Sequence, residues 1–246
     1  MRRGGLRGIL AAMCGRYVLH SPVAELRRIF ATNGAVPNFP PTWNMAPTQM
    51  APVVRRHPES GERRLDLLRW GLVPHFVIDQ KATRQPINAR SETAAGSGMF
   101  RDALKRRRCL VPADAFYEWM QAPGGKQAHA AARADGTVMA LAGLWEGWRG
   151  ADGTVLRTYT ILTTKACAAL AHLHERMAVV LEPEDWKLWL GEEDGDPTAL
   201  LRPSAAAFRV WPVGARVGNV RNNDPGLLEP ISEDPEIPPA PSRLLG

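Results

Sequence analysis

The chain has 246 residues, 45% of them hydrophobic, which is enough to bury a full core in one large domain. Its net charge is +6, and the predominance of arginine among the basic residues permits nucleic acid binding but also fits a bias toward arginine codons. No apolar run approaches the roughly 18 residues that cross a bilayer, and nothing resembles the apolar core of a secretory signal, so we expect a cytoplasmic protein.

The first predicted elements alternate between strands and turns. A strand is predicted from Cys14 to His20, and Ser21-Pro22 supplies an N-cap and a first-turn proline for a helix through about Phe30. Residues 36–47 carry too many prolines for regular structure, so we expect an ordered surface loop there. A hairpin is predicted from two strands, Met50 to Arg56 and Leu65 to Leu72.

Strands also dominate the rest of the chain. They are predicted at Cys109 to Val111, Ala115 to Met120, Val138 to Trp148 and Val155 to Thr163, and helices at Phe100 to Arg108, Lys165 to Leu173 and Glu184 to Leu190. Because strands outnumber helices and no β-α-β rhythm is present, we expect an α+β fold. This would be a single domain with a largely antiparallel, barrel-like β core flanked by short helices. We divide the chain into a leader (1–12), a domain (13–222) and an acidic, proline-rich, mobile tail (223–246).

The cysteines and histidines show no pattern of a metal site. Cys14, Cys109 and Cys167 lie far apart without a C-x-x-C pair, which argues against a zinc site or a disulfide framework. The histidines show no ligand spacing tied to these cysteines. We therefore expect neither a metal nor a cofactor.

Four short stretches carry more polar residues than a core strand or turn needs: 13–17, 87–93, 110–119 and 172–177. Each has an ordinary structural interpretation. Glu118 could face solvent on an alternating strand, His174 could cap the preceding helix, and Asn88 with Arg90 could hold a turn together. Trp70 is by default a core residue rather than a platform for a base. Taken singly, none of these signals is specific.

Together, the motifs resemble the SRAP family, the SOS-response-associated, abasic-site-processing proteins. They occur in the family's order over about residues 13–222: Met-Cys-Gly-Arg-Tyr, Trp-Asn-Met-Ala-Pro-Thr-Gln, Arg-Trp-Gly-Leu-Val-Pro, Asn-Ala-Arg-Ser-Glu-Thr, Arg-Arg-Cys-Leu-Val-Pro-Ala-Asp-Ala-Phe-Tyr-Glu-Trp, Leu-Ala-Gly-Leu-Trp-Glu, and Ile-Leu-Thr-Thr followed by His-Glu-Arg-Met.

The resemblance implies that the mature protein begins at Cys14 once Met13 is removed, so that residues 1–12 are a misassigned start or an artefact. It assigns catalysis to Cys14, Asn88, Glu118 and His174. An amino-terminal cysteine carries a thiol and a primary amine on adjacent carbons, and this pair condenses with an aldehyde to a thiazolidine. The resemblance supplies the aldehyde, which is the ring-opened sugar of an abasic site in single-stranded DNA.

The resemblance also implies a DNA-binding surface. Arginines would contact phosphates, while Trp70 and the loop through Pro47 would abut neighbouring bases, so that binding tolerates any sequence and weakens with salt. We expect a monomer that acts on single-stranded DNA without a membrane or metal partner. The implied DNA-binding residues are Arg16, Asn44, Pro47, Trp70, Arg90, Thr163, Arg176 and Met177.

Several positions depart from the family pattern. Glu175 and Ala178 replace its usual aspartate and proline, which would shift Arg176 or loosen His174. Ala115 replaces a glycine, and residues 126–129 replace a Lys-x-Pro-Tyr-like segment.

Two other classes of function stay open from the sequence. One is a hydrolase, a thiol peptidase that cleaves its own leader before Cys14. The other is a non-catalytic, single-strand nucleic-acid-binding module, which would leave the aminothiol of Cys14 unexplained.

Overall fold

The computed structural model describes residues 15–122 and 125–231, so Cys14, the leader and residues 232–246 lie outside it. The strands of the described residues are β1 Arg16–Leu19, β2 Thr42–Met45, β3 Met50–Arg56, β4 Arg63–Trp70, β5 Asn88–Arg90, β6 Arg108–Ala113, β7 Ala115–Ala122, β8 Gly125–Arg133, β9 Met139–Arg149, β10 Val155–Lys165, β11 Arg176–Ala178, β12 Val180–Leu181 and β13 Phe208–Pro212. The α-helices are α1 Val23–Phe30, α2 Ser91–Ala94, α3 Arg101–Arg106 and α4 Trp186–Leu190. Single 3-10 turns lie at Pro183–Asp185, Pro197–Leu200, Ala215–Gly218 and Pro225–Leu228.

Five strands close into a barrel. In order around it, β10, β4, β3, β6 and β9 are hydrogen-bonded neighbours, and β9 pairs back onto β10. The closing pair is antiparallel from Val155 opposite Arg149 to Ile161 opposite Gly143, whereas β10 and β4 run parallel. The predicted fold class, a largely antiparallel and barrel-like core with short helices, is confirmed.

A second, antiparallel sheet packs against the barrel in the order β13, β8, β7, β1 and β2. Side chains alternate across this sheet because successive residues of a strand point to opposite faces. Tyr17 and Phe116 join the main core with the barrel, while Val18 and Tyr117 join a smaller cluster on the other face. The second sheet therefore has one face toward the barrel and one face covered by the carboxy-terminal segment.

Some predicted elements are wrong, and the reason is pairing between distant segments. The expected proline-rich loop contains β2, which pairs with β1 through Met45 opposite Tyr17, while Pro41 and Pro47 lie outside the strand. The predicted helix over Lys165 to Leu173 is absent, since β10 runs to Lys165 and short turns follow. The strands β8 and β13 were not predicted, and they pair with each other from Phe208 opposite Arg133.

The helix α1 begins differently from the predicted pattern. Pro22 is its N-cap and supplies no side-chain hydrogen bond. The hydroxyl of Ser21 instead donates to Asp114 over 2.6 Å, and the same carboxylate accepts from the backbone amides of His20 and Ser21. Ser21 thus joins the start of α1 to the β6–β7 connection rather than capping the helix.

The folded body extends past the expected domain end at residue 222. Leu227 is buried, and the indole of Trp211 donates to the Leu228 carbonyl over 2.8 Å. Val213 forms a β-bridge with Pro230. The described part of the expected mobile tail, residues 223–231, is therefore packed against the second sheet.

Candidate functional site

The described chain begins at Gly15, the residue bonded to Cys14, immediately before β1. On β1, Arg16 lies opposite Tyr117 and Tyr17 lies opposite Phe116 of β7. Continuing this antiparallel register by one residue places Gly15 opposite Glu118. Cys14 itself lies outside the described residues; Gly15, to which it is bonded in sequence, lies opposite Glu118 in this register.

Glu118 is buried, with 4% of its surface exposed. It shares a face of β7 with Phe116 and Met120, both of which pack toward the main core. The ordinary interpretation, a solvent-facing glutamate on an alternating strand, is therefore wrong. Removing a carboxylate from water costs free energy unless polar partners compensate it. Glu118 is not without a partner in the structure.

His129 is a residue of this site that the sequence did not reveal. It lies on β8 directly opposite Glu118, and side chains of directly opposed residues share a face. Burial lowers the pKa of His129, and the charge of His172 lowers it further. Its Nδ1 lies 3.3 Å from the Gln127 carbonyl oxygen. The hairpin register could have revealed His129, because Glu118 and His129 lie the same number of residues from the turn between β7 and β8.

A second group of predicted residues meets at one end of the barrel, where β5 and β11 lie on either side of the end of β10. Asn88 pairs with Ile161, Arg90 pairs with Thr163, and Thr163 pairs in turn with Ala178. Three segments that are distant in sequence thus come together here. They bring together five of the predicted site residues: Asn88, Arg90, Thr163, Arg176 and Met177.

One hydrogen bond and one electrostatic interaction connect the second sheet with β10 and with the segment that follows it. The hydroxyls of Tyr17 on β1 and Tyr159 on β10 are hydrogen-bonded over 2.7 Å. His172, two residues before His174, is close enough to His129 for its charge to lower the pKa of that imidazole. We define the start of β1, the Glu118–His129 pair and the turn that carries His174 as the candidate site.

His174 has a defined orientation. Its Nδ1 accepts a hydrogen bond from the Arg176 backbone N–H over 3.0 Å, so a neutral ring carries its proton on Nε2. Ala178, which replaces the family's proline, pairs with Thr163 in β11. Nε2 is left as the nitrogen available for proton transfer.

Arg176 is held by a carboxylate and by the strand beside it. Its guanidinium donates to both oxygens of Glu92 over 2.9 and 2.8 Å and to the Thr163 carbonyl over 2.7 Å. Arg176, Thr163 and Met177 are all buried. This geometry does not support direct DNA contact by these three residues. The ion pair of Arg176 with Glu92 instead connects β11 to α2.

This ion pair predicts a pH-dependent stability. Hydrogen bonds from Arg176 lower the pKa of the Glu92 carboxyl to about 2 from its ordinary 4.5. Since the folded state then binds protons less readily than the unfolded state, the pair stabilises fully above pH 4.5 and loses its effect as the pH falls toward 2. The urea midpoint of Glu92→Gln should lie below that of the unsubstituted protein at pH 7, and the gap should close between these limits. A difference in urea midpoint that is as large at pH 3 as at pH 7 would contradict the proposed contribution of the Glu92–Arg176 pair.

Arg16 and Asn44 lie on the opposite face of the second sheet from Glu118. The Arg16 guanidinium donates to the Asn44 side chain over 3.0 Å and to the Val217 carbonyl over 2.9 Å. The Asn44 amide donates to the carbonyls of Asn219 and Asn222. These two residues are not brought together with the catalytic candidates, and they fasten the carboxy-terminal segment.

Trp70 is a core residue at the barrel end. It is fully buried, and its indole N–H donates to the Ile87 carbonyl over 2.9 Å. Its ring lies nearly parallel to Tyr159 at 6.2 Å and is 5.3 Å from Tyr17. The expected base contact by Trp70 is not supported, because its ring faces are covered by protein.

Of the two remaining predicted DNA-binding positions, Arg90 is exposed and Pro47 is half-buried. Arg90 is exposed and has no carboxylate partner within residues 15–122 and 125–231. Pro47 begins a turn with Thr48, whose amide donates to the Trp70 carbonyl over 2.9 Å. The cation and the turn thus lie near the same end of the barrel.

The chain matches a known protein family, several curated proteins and several solved structures. The model of the family described as SOS response associated peptidase (SRAP) matches residues 13–220. The chain belongs to the SRAP family. Among curated SRAP relatives, abasic site processing protein YoqW of Bacillus subtilis (strain 168) is 35% identical over 88% of this chain and 99% of its own. Abasic site processing protein HMCES of Gallus gallus is 30% identical over 89% of this chain and 78% of its own.

Solved structures share the SRAP fold. A protein from Bordetella bronchiseptica is 30% identical with a TM-score of 0.70, covering 82% of this chain and 100% of its own. A protein from Bacteroides thetaiotaomicron is 19% identical with a TM-score of 0.77, covering 88% and 99%. Within the described part of the SRAP chain, no helix is long and apolar enough to cross a membrane, and no cluster of three His, Cys, Asp or Glu could hold a metal ion.

Proposed function

We propose that this protein processes abasic sites in single-stranded DNA by forming a covalent thiazolidine through an amino-terminal Cys14. The observation that carries the proposal is a buried carboxylate, Glu118, whose register position is opposite Gly15, the residue that follows Cys14 in sequence. Family membership supports the class of substrate, since relatives over nearly their full length are named abasic site processing proteins. The crosslink would shield the lesion during the DNA damage response.

The chemistry requires proton transfers at three stages. Glu118 and His174 move protons as the cyclic sugar opens to its aldehyde. The α-amine of Cys14 then attacks the aldehyde carbon, C1′, and one water leaves as the imine forms. Addition of the thiol across this imine forms the C1′–S bond and returns a proton to nitrogen. The product is protein plus DNA minus one water.

The residues around the reacting carbon have separate roles. Asn88, on β5 at the barrel end, orients the sugar or the amine by hydrogen bonding. The Nε2 of His174 serves as the proton carrier because its Nδ1 is occupied by the Arg176 amide. Reprotonation of the ring by Glu118 would allow slow reversal, since an acid that opens a hemiacetal can also open a thiazolidine.

Intact mass spectrometry with denaturing gels tests the proposal. Protein translated from Met13 and verified to begin at Cys14 is mixed with single-stranded DNA that carries one abasic site. We expect a heat-stable adduct with the mass of protein plus DNA minus water. Cys14→Ser should give no stable adduct, whereas Cys167→Ser, which removes a partly buried internal thiol that has no free α-amine, should react normally.

Absence of the adduct from a protein that begins at Cys14 would overturn the proposal. The rival peptidase function has its own signature in the same spectra. It predicts that the long form loses residues 1–13 on incubation, and that Cys14→Ala or Glu118→Ala blocks this cut.

A further inference from the structure

A cationic pocket of about 560 Å³ lies outside the candidate site. The C-terminal end of α3, the end of β3, the start of β6 and the end of α4 form its walls. None of its lining residues is acidic, and six of them carry basic side chains: Arg56, His57, Lys105, Arg106, Arg107 and Arg108. A concave surface with this charge favours an anion.

Most of the positive charge in this pocket is not neutralised. Arg107 forms an ion pair with the buried Glu146 over 2.7 Å. Within the described ranges of the chain, Arg56, Lys105, Arg106 and Arg108 form no ion pair with a carboxylate. The pocket thus holds at least four positive charges that no carboxylate compensates.

Two of these arginines are fixed by main-chain carbonyls. The Arg108 guanidinium donates to the carbonyls of Leu104 and Lys105 over 2.9 and 2.8 Å and also to that of Trp189. Arg56 donates to the Gly191 carbonyl. Carbonyl partners hold a guanidinium in place without cancelling its charge, so the wall of the pocket is preorganised and cationic.

Capping of α3 explains only some of the basic residues in this pocket. Cations in the last turn of a helix interact favourably with its dipole, and Arg108 caps the carbonyls of α3. This effect does not require Arg56 or His57, which come from the other side of the pocket on β3 and its turn. Lys105 and Arg106 are exposed at the rim, where they can reach a ligand.

The pocket and the candidate site lie at opposite ends of the barrel. Met50 pairs with Arg69, beside Trp70 at the site end, while Arg56 ends the same strand at the pocket. Six residue steps along a strand span about 20 Å. At the 3.4 Å rise of each strand of a duplex, this distance corresponds to about six nucleotides. A single strand of 25 nucleotides is therefore long enough to reach both ends.

We propose that this pocket binds backbone phosphates of nucleic acid at a distance from Glu118. The choice of nucleic acid over a free polyphosphate rests on the proposed function, whereas the anion site itself rests on the pocket. Arg56 and Arg108 form its fixed wall, and Lys105 and Arg106 at the rim contact successive phosphates. The site would extend the footprint of the protein on DNA beyond the lesion.

Anisotropy titrations of the full chain with an undamaged 25-nucleotide single strand test this site. Lys105→Gln with Arg106→Gln removes two phosphate contacts, each of which contributes about 0.7 to the salt slope for single strands. We expect the slope to fall by about 1.4 and the affinity at 0.1 M salt to fall by about 25-fold. The charge-matched control, Arg28→Gln with Arg202→Gln, removes two exposed cations outside the pocket and should bind normally.

Charge reversal provides a second variant, since Lys105→Glu with Arg106→Glu should weaken binding further without touching buried groups. Equal affinities for the pocket variants and the control pair would overturn the proposal. Calorimetry with inorganic triphosphate identifies the source of the phosphates. If Lys105→Gln with Arg106→Gln abolishes triphosphate binding but leaves the DNA affinity unchanged, the pocket binds a free polyphosphate. That result would overturn the nucleic-acid assignment. Undamaged DNA has no aldehyde, so these results do not depend on covalent capture.

Discussion

Replacing Glu118 by glutamine is expected to slow covalent capture of an abasic site by about 100-fold or more. General acid–base catalysis by a positioned group contributes about 10²- to 10⁴-fold to a rate, and glutamine keeps the shape of the side chain without its exchangeable proton. Glu118 is buried on the barrel-facing side of β7, where a neighbouring water cannot easily replace it. Single-turnover kinetics with intact mass detection measure the rate of adduct formation directly.

The control for this experiment separates proton transfer from folding and binding. Glu184→Gln changes an exposed carboxylate outside the site and should leave the rate unchanged. Glu118→Gln should melt within a few degrees of the unsubstituted protein and bind undamaged single strands equally well. A capture rate within threefold of the unsubstituted protein would remove Glu118 from the mechanism.

Local sequence patterns predicted the barrel strands but missed parts of the second sheet. The hairpin of β3 and β4 follows from two apolar runs around a turn, and both strands form within two residues of the prediction. By contrast, β8 is rich in alanine and β2 is bordered by prolines, so neither has a strong strand signal of its own. Their partners impose the strand conformation, and pairing of that kind depends on tertiary structure.

The burial of Glu118 also could not be predicted from local sequence. A carboxylate at the end of an apolar strand can be read from the sequence, but its burial depends on what covers that face. Here Phe116 and Met120 on the same face pack against the main core, and His129 lies opposite. The pairing of 118 with 129 could have been found from the hairpin, given the position of its turn.

The three arginines that the family resemblance assigned to DNA have different surroundings. Arg176 is bound to Glu92, and Arg16 is bound to Asn44 and Val217. Arg90 alone of the three is exposed without a carboxylate partner in the described chain. The named partners of Arg16 and Arg176 lie 28 to 201 residues away in the sequence, so local sequence patterns cannot predict which guanidinium is left without a protein partner.

Trp70 allows a direct test of core packing against base stacking. Because its ring is fully buried between Tyr17 and Tyr159, Trp70→Ala should lower the free energy of unfolding by about 3–5 kcal/mol. Trp43→Ala, at a half-buried tryptophan of the second sheet, should cost less, as chemical denaturation will show.

Binding to undamaged single strands completes the test with Trp70→Leu, which stays apolar but cannot stack on a base. Stacking contributes about 1–3 kcal/mol per base, so a stacking role predicts a loss of affinity of about 5- to 150-fold. We expect the affinity of Trp70→Leu for single strands to change by less than twofold, because Tyr17 and Tyr159, rather than a base, pack against the Trp70 ring in the unsubstituted protein. A large loss of affinity without a loss of stability would instead place Trp70 on the DNA.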